Sequence, residues 1–188
     1  VHSERETLES RTRRRRINGI QCWLALPKTQ GDSNPSFQHV PQTALPKYCD
    51  AGISMTLIAG KAFDLQSSVS IFSPAFFLDV KAASGSLIQR PNPEFECMLY
   101  LLQGDIKSKN EEFKSGQIIL LDNETHFQAS TDVRCLLFGG EAWEEIPYIE
   151  WNFVSFYKEK IEQAKLDWQE RRFPEVPGDS DEFTPLPN

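Results

Sequence analysis

A chain of 188 residues with 39% hydrophobic content has enough apolar material for a buried core, as one domain or as a large domain with part of another. Twenty Lys and Arg against 27 Asp and Glu leave a formal net charge of −7, which disfavours general affinity for nucleic acid. No apolar run approaches the roughly 20 residues needed to span a bilayer, and no signal peptide is recognisable in a chain that opens without an initiator methionine.

Val1-His2-Ser3-Glu4 comes first. In an extended strand, positions i and i+2 share a face, so the His2 imidazole and the Glu4 carboxylate would project together as half of a metal site. A catalytic transition metal takes three or four protein donors, and a His-x-Glu near a terminus is by itself more often a polar strand or a frayed end. Arg11-Thr12-Arg13-Arg14-Arg15-Arg16 follows, flanked by Glu4, Glu6 and Glu9. It reads as a solvated loop between strands, with a phosphate-binding patch or a nuclear address as the second reading.

From Lys28 to Lys47 the chain is rich in Pro, Gln, Ser and Asn, which marks an irregular crossing segment where one domain hands over to the next. His39, before a proline-bounded turn, reads as structural or exposed. Between Ile53 and Gly140, β-prone runs recur: Ser54 to Ala59, Ser68 to Phe72, Phe76 to Val80, Cys97 to Leu102, Gln117 to Leu121, Phe127 to Ala129 and Val133 to Phe138. Turn-formers at Ala83-Ser84-Gly85, Lys109-Asn110, Ser115-Gly116 and Asp122-Asn123 separate them, a sandwich or barrel signature. Cys22, Cys49, Cys97 and Cys135 form no C-x-x-C pair, which excludes a zinc ribbon or a thioredoxin-type centre. They read as free thiols suited to a reducing cytoplasm, three of them as small hydrophobes in strand-like segments.

Tyr157, Ile161, Ala164 and Trp168 repeat at helical spacing after Ser155, an expected N-cap, with Arg171 and Arg172 at the favourable end of the dipole. The stripe is expected to pack across the barrel or onto the other domain. Phe173 to Asn188 reads as an extended surface tail. The expected division is therefore residues 1–47 as a domain remnant and linker, 48–150 as the β domain, 151–172 as the helix and 173–188 as the tail.

Ile17-Asn18-Gly19-Ile20-Gln21-Cys22-Trp23-Leu24-Ala25-Leu26-Pro27 resembles the Gly-Ile-Gln strand of the pirin family. Ala59-Gly60, Tyr100-Leu101-Leu102-Gln103-Gly104-Asp105 and Phe138-Gly139-Gly140-Glu141 resemble its second-domain markers. The stretch from Trp151-Asn152-Phe153-Val154-Ser155 through Arg172-Phe173-Pro174 and Val176-Pro177-Gly178-Asp179 to Pro185-Leu186-Pro187 is similar to a bacterial subfamily. The resemblance implies an all-β fold: a cupin jelly-roll barrel with a C-terminal helix, plus the remaining part of an N-terminal cupin barrel.

It also implies a function. Pirins hold iron through three histidines and a glutamate, and His2 and Glu4 match the later His-x-Glu of that set. His2 would donate a neutral ring nitrogen, while Glu4 would act catalytically, accepting the proton of a flavonol hydroxyl. The family's His-x-His pair is absent, and the proline that usually follows Gly-Gly-Glu is Ala142. The expectation is thus an N-terminally truncated form of a quercetin 2,3-dioxygenase-like enzyme, with iron weak or missing and no activity in this chain. The alternative is a redox-responsive regulatory protein that binds a protein partner. Glu94, Phe95 and Glu96 stand where the second barrel's own histidines would fall, leaving Glu94, Glu96 and His126 as its metal-capable groups; a metal-free second barrel is expected. Half a barrel would leave an unpaired edge around Ile17 to Leu26, a route to a homodimer.

Overall fold

The computed structural model describes residues 1–109, 111–122 and 124–187; Asn110 and Asn123, expected in turns, lie outside the described residues. The chain divides into two units, one of Ser36–Glu144 and one of Val1–Pro35 with Glu145–Asn188.

The first unit is an all-β sandwich. Its strands in chain order are β1 (Lys47–Asp50), β2 (Ile53–Ala62), β3 (Leu65–Gln66), β4 (Ala75–Ala82), β5 (Leu87–Gln89), β6 (Glu96–Gln103), β7 (Asp105–Ser108), β8 (Glu111–Lys114), β9 (Ile118–Leu120), β10 (His126–Ala129) and β11 (Val133–Gly140). A seven-stranded sheet runs β1-β2-β4-β11-β6-β9 with β3 on β2, and a four-stranded sheet runs β5-β10-β7-β8. Period-two patterning explains the layering, because alternate side chains of a strand point to opposite faces. Phe76, Leu78, Val80 and Ala82 of β4 turn inward with Cys97, Leu99 and Leu101 of β6 and Val133, Cys135 and Leu137 of β11. From the smaller sheet come Ile88, Ile106 and Phe127. Each fully buried Leu, Ile or Phe contributes about 1.5–3 kcal/mol.

Several expectations need correction. Ser68 to Phe72 is not a strand. The Ser67 hydroxyl donates to the Ile58 carbonyl at 2.7 Å and accepts the Val69 N–H at 3.2 Å, and Gln38 donates to the Ser68 carbonyl at 2.9 Å, so side chains replace ladder bonds there. The short polar strands β1, β7 and β8 fall outside the expected runs, because Asp, Lys and Glu mask their alternation. Ile17 to Leu26 also forms no strand; Ile17, Trp23 and Leu24 are exposed, and without a neighbouring ladder extended backbone has nothing to pair with. No unpaired ladder edge therefore stands at that segment.

The second unit holds a helical turn, α1 (Leu8–Arg11), and beyond the sandwich the hairpin β12 (Tyr148–Glu150) and β13 (Phe153–Ser155), followed by α2 (Lys158–Gln169). Ser155 is not the N-cap. It ends β13 and its hydroxyl accepts the Tyr157 N–H at 3.1 Å, while Tyr157 takes the cap position without a side-chain bond. α2 packs on the hairpin. Trp168 meets Trp151 edge-on at 5.4 Å and Phe173 at 5.6 Å, and stacks on Phe183 at 4.9 Å. Arg171 and Arg172, expected at the C-terminal end of the helix, follow directly on the C-cap Glu170, and Arg171 has φ +55°. Among the described residues, no helix is long and apolar enough to cross a membrane.

Candidate functional site

Residues 1–6 form no strand; His2 and Glu4 lie on irregular, exposed backbone, because no neighbouring strand supplies a ladder. Both nevertheless line one open cleft of about 810 Å³, shared with Arg5 and Arg11 and walled by Trp168, Phe173, Asp179 and Phe183. The segment is anchored on either side of Glu4. Ser3 and Arg5 both donate to Asp179 Oδ2, and Arg5 reaches Glu182 at 3.2 Å. Gln21 Nε2 donates to the Glu4 carboxylate at 3.4 Å, so the Gly-Ile-Gln segment touches the candidate pair even without strand structure. The tail that supplies Asp179 is tied in turn: the Trp168 indole N–H donates to the Thr184 carbonyl at 2.8 Å, and the Arg171 guanidinium lies 4.8 Å from the Phe183 ring centre.

Hydrogen bonds from Arg5, then Ser3, hold the Asp179 carboxyl below its usual range. A depressed folded pKa stabilises the tie above the ordinary carboxylate pKa of about 3.9, and that contribution is lost as the pH falls through the lower folded value. The tie is therefore intact at neutral pH and loosens only in acid. Asp179→Asn is expected to raise hydrogen exchange in residues 1–7 and 174–184 by up to about fivefold at pH 7, the ceiling for an exposed ion pair. Unchanged exchange would mean that the remaining ties, Arg5 with Glu182 and Trp168 with Thr184 and Phe183, hold the tail without Asp179.

As a metal site the pair is incomplete. The described residues contain no group of three or more His, Cys, Asp or Glu placed to hold a metal ion. Two donors do not fix a transition metal, so the residues present do not by themselves fit iron. Nor are Glu94, Glu96 and His126 assembled as such a group. The Glu94 N–H bonds Asn92 Oδ1, Glu96 pairs with Gly140 at the start of β6, and His126 is exposed on β10 with its ring beside the Thr125 hydroxyl at 3.1 Å. His39 is exposed in irregular backbone.

The cysteines divide into two kinds. Cys97 and Cys135 are core residues, and burial pushes their thiols up to about 11 and about 12. Cys22 and Cys49 are exposed, and Cys22, expected as a small hydrophobe within a strand, lies in neither a strand nor a core.

The residue that sequence reasoning missed is Arg90. It is 8% exposed, and among the described residues its guanidinium donates only to backbone: to the Asn92 carbonyl at 3.1 Å, to those of Leu121 and Asp122 at 2.9 Å each, and to that of Phe95. Four main-chain acceptors around one planar cation form a cross-tie between the segment leading into β6 and the segment leaving β9.

Residues 77–174 match the model of the pirin C-terminal cupin domain. A pirin-like protein of Caulobacter vibrioides is 38% identical over 92% of this chain and 60% of its own length. A Pseudomonas aeruginosa protein provisionally named a quercetin 2,3-dioxygenase is 32% identical over 90% of this chain and 54% of its own. The crystal structure of a quercetin 2,3-dioxygenase from Acinetobacter baumannii superposes with a TM-score of 0.77 at 28% identity, covering 88% of this chain and 57% of that one. The chain thus spans little more than half the length of the relatives it matches.

Proposed function

The chain belongs to the pirin family, and on that premise we propose that His2 and Glu4 are two of the donors of a pirin-type iron centre whose complete form oxidises flavonols such as quercetin as a dioxygenase. The observation that carries this reading is the shared cleft: an imidazole and a carboxylate two residues apart, with Ser3 and Arg5 fixed on Asp179 and Gln21 bonded to Glu4. Imidazole with carboxylate is a donor set that suits iron. The chain alone supplies half of that set, and accordingly it is expected to take up iron weakly and to leave quercetin unconsumed. Free thiols at Cys22 and Cys49 favour a cytoplasmic setting.

Elemental analysis after anaerobic loading with ferrous iron, followed by a quercetin assay in air, tests the proposal. It is run on this chain and on a chimera carrying the part of the Caulobacter vibrioides relative that has no counterpart here. Iron and turnover are expected only in the chimera, with both lost in its His2→Ala form. Stoichiometric iron in the chain alone, or iron indifferent to His2→Ala, would show that the site lies elsewhere.

A regulatory protein bound to a protein partner is the second reading, favoured by Trp23 and Leu24, which are 60% and 65% exposed and follow the arginine run in the sequence. It is separated from the first by iron uptake without quercetin consumption in the chimera, together with capture of a partner that depends on iron oxidation state.

A further inference from the structure

β9 is the last strand of the larger sheet: it is bonded to β6 on one side and, among the described residues, has no neighbouring strand on the other. The register decides which of its backbone groups face outward. The Leu101 N–H donates to the Gln117 carbonyl at 3.0 Å and the Leu121 N–H to that of Cys97 at 2.8 Å, so residues 117 and 121 bond toward β6. Antiparallel bonding alternates along a strand, which turns Ile119 toward β6 as well and directs the N–H and C=O of Ile118 and Leu120 to the open side. The side chains of these two residues are 66% and 63% exposed, beside Met98 at 38%. Edge strands are ordinarily blunted by charge, proline or a bulge. β1, at the far end of the same sheet, carries Lys47 and Asp50, and β8 carries Glu111, Glu112 and Lys114, whereas β9 is Ile118-Ile119-Leu120.

We propose that β9 is a self-association edge, at which two copies of this chain pair antiparallel about a two-fold axis through Ile119, with Ile118 of each copy opposite Leu120 of the other. The strand itself specifies this occupant. A two-fold axis at Ile119 brings the outward N–H and C=O of Ile118 onto those of Leu120 opposite, and the reverse, so every group that β9 turns outward finds its complement. The same operation lays the exposed Ile118 side chain beside the exposed Leu120 of the other copy as a cross-strand apolar pair. It also sets no charge of β9 against a like charge, which matters between copies of a chain with net charge −7. An acidic or basic partner would gain nothing from an edge without charges. Leu87-Ile88-Gln89 of β5 is another uncharged terminal strand, but joining β9 to it is a heterologous contact, which propagates rather than closing on a pair. The site is independent of His2 and Glu4 and of any metal.

Sedimentation equilibrium of the whole chain is expected to show a reversible monomer–dimer equilibrium with Kd on the order of 100 µM, the scale of a small interface. Amide exchange at Ile118 and Leu120 should slow about fivefold between roughly 10 µM and 1 mM protein, while Leu87 and Gln89 of β5 exchange at one rate throughout. Ile118→Lys and Leu120→Glu are each expected to weaken the dimer at least about tenfold, because each sets a charge against an apolar side chain. Both positions are exposed, and thermal melts verify that the variants are folded. An equimolar mixture of the two variants is expected to dimerise again, since this register alone places position 118 of one copy opposite position 120 of the other. A chain that stays monomeric at about 1 mM, assemblies that grow beyond a dimer, slowed exchange at another strand in place of β9, or a mixture that stays dissociated would each overturn the assignment.

Discussion

Gly60→Ala is expected to unfold the β sandwich or to lower its melting temperature by at least about 15 °C. Gly60 sits near the end of β2 with φ +81°, paired with Phe76 of β4. A Cβ there would lie 1.8 Å from the Ala75 carbonyl oxygen and 2.6 Å from its carbon. Both obstacles are backbone, so no rotamer change relieves them; the β2–β4 ladder must open, and it runs from Ile53↔Ala82 to Gly60↔Phe76 across the middle of the larger sheet. A cost of roughly 3–5 kcal/mol consumes much of the roughly 5–15 kcal/mol that holds a typical domain together. Gly116→Ala is the control. It has φ +90° but no atom within 4 Å of the added Cβ, so it should cost only about 1–2 kcal/mol of left-handed strain. Equal melting temperatures for the two variants would show that steric approach at Gly60 is not what the glycine is for.

Gly60 also shows why part of this fold is legible in the sequence. The markers Ala59-Gly60, Gln103-Gly104-Asp105 and Phe138-Gly139-Gly140-Glu141 are geometric requirements. A Cβ on Gly104 would approach the Asp132 carbonyl oxygen to 2.2 Å, and one on Gly139 the Glu96 carbonyl oxygen to the same distance. Where a strand buries one face, as β4, β6 and β11 do, alternation exposes it in the sequence. β7 and β8 hide because Asp105, Lys107, Glu111 and Glu112 dominate short segments in which Ile106 and Phe113 are the apolar signals. Ile17 to Leu26 is expected as a strand because it resembles the Gly-Ile-Gln strand of the pirin family, yet strand structure is conferred by a neighbour, and a resemblance cannot supply one. The candidate site is legible in the same partial way. Residue type and spacing point to His2 and Glu4, but the anchoring by Asp179 crosses 174 residues from Arg5 and leaves no local pattern.

Arg90→Met is expected to destabilise the sandwich by about 3–5 kcal/mol, through the buried carbonyls it would leave unpaired rather than through lost volume. In the sequence, Gln89-Arg90-Pro91 looks like an ordinary surface turn, because the acceptors are main-chain oxygens of residues 92, 95, 121 and 122 and so carry no side-chain signature. The same four oxygens make the arginine hard to replace. Methionine fills the stem but donates nothing, and lysine offers a point charge with three donors in place of a planar fork, so Arg90→Lys should fall between methionine and the native residue. Urea denaturation should show a lower midpoint at unchanged slope, which distinguishes lost stability from a changed denatured state. Cys97 and Cys135 provide a second readout, since thiols buried and pushed up to about 11 and about 12 react with an alkylating reagent chiefly when the sandwich opens. Their labelling at pH 8 should accelerate about a hundredfold or more in Arg90→Met, the factor that roughly 3 kcal/mol gives in an opening equilibrium. Labelling at the native rate would mean that water satisfies the carbonyls once the guanidinium is gone.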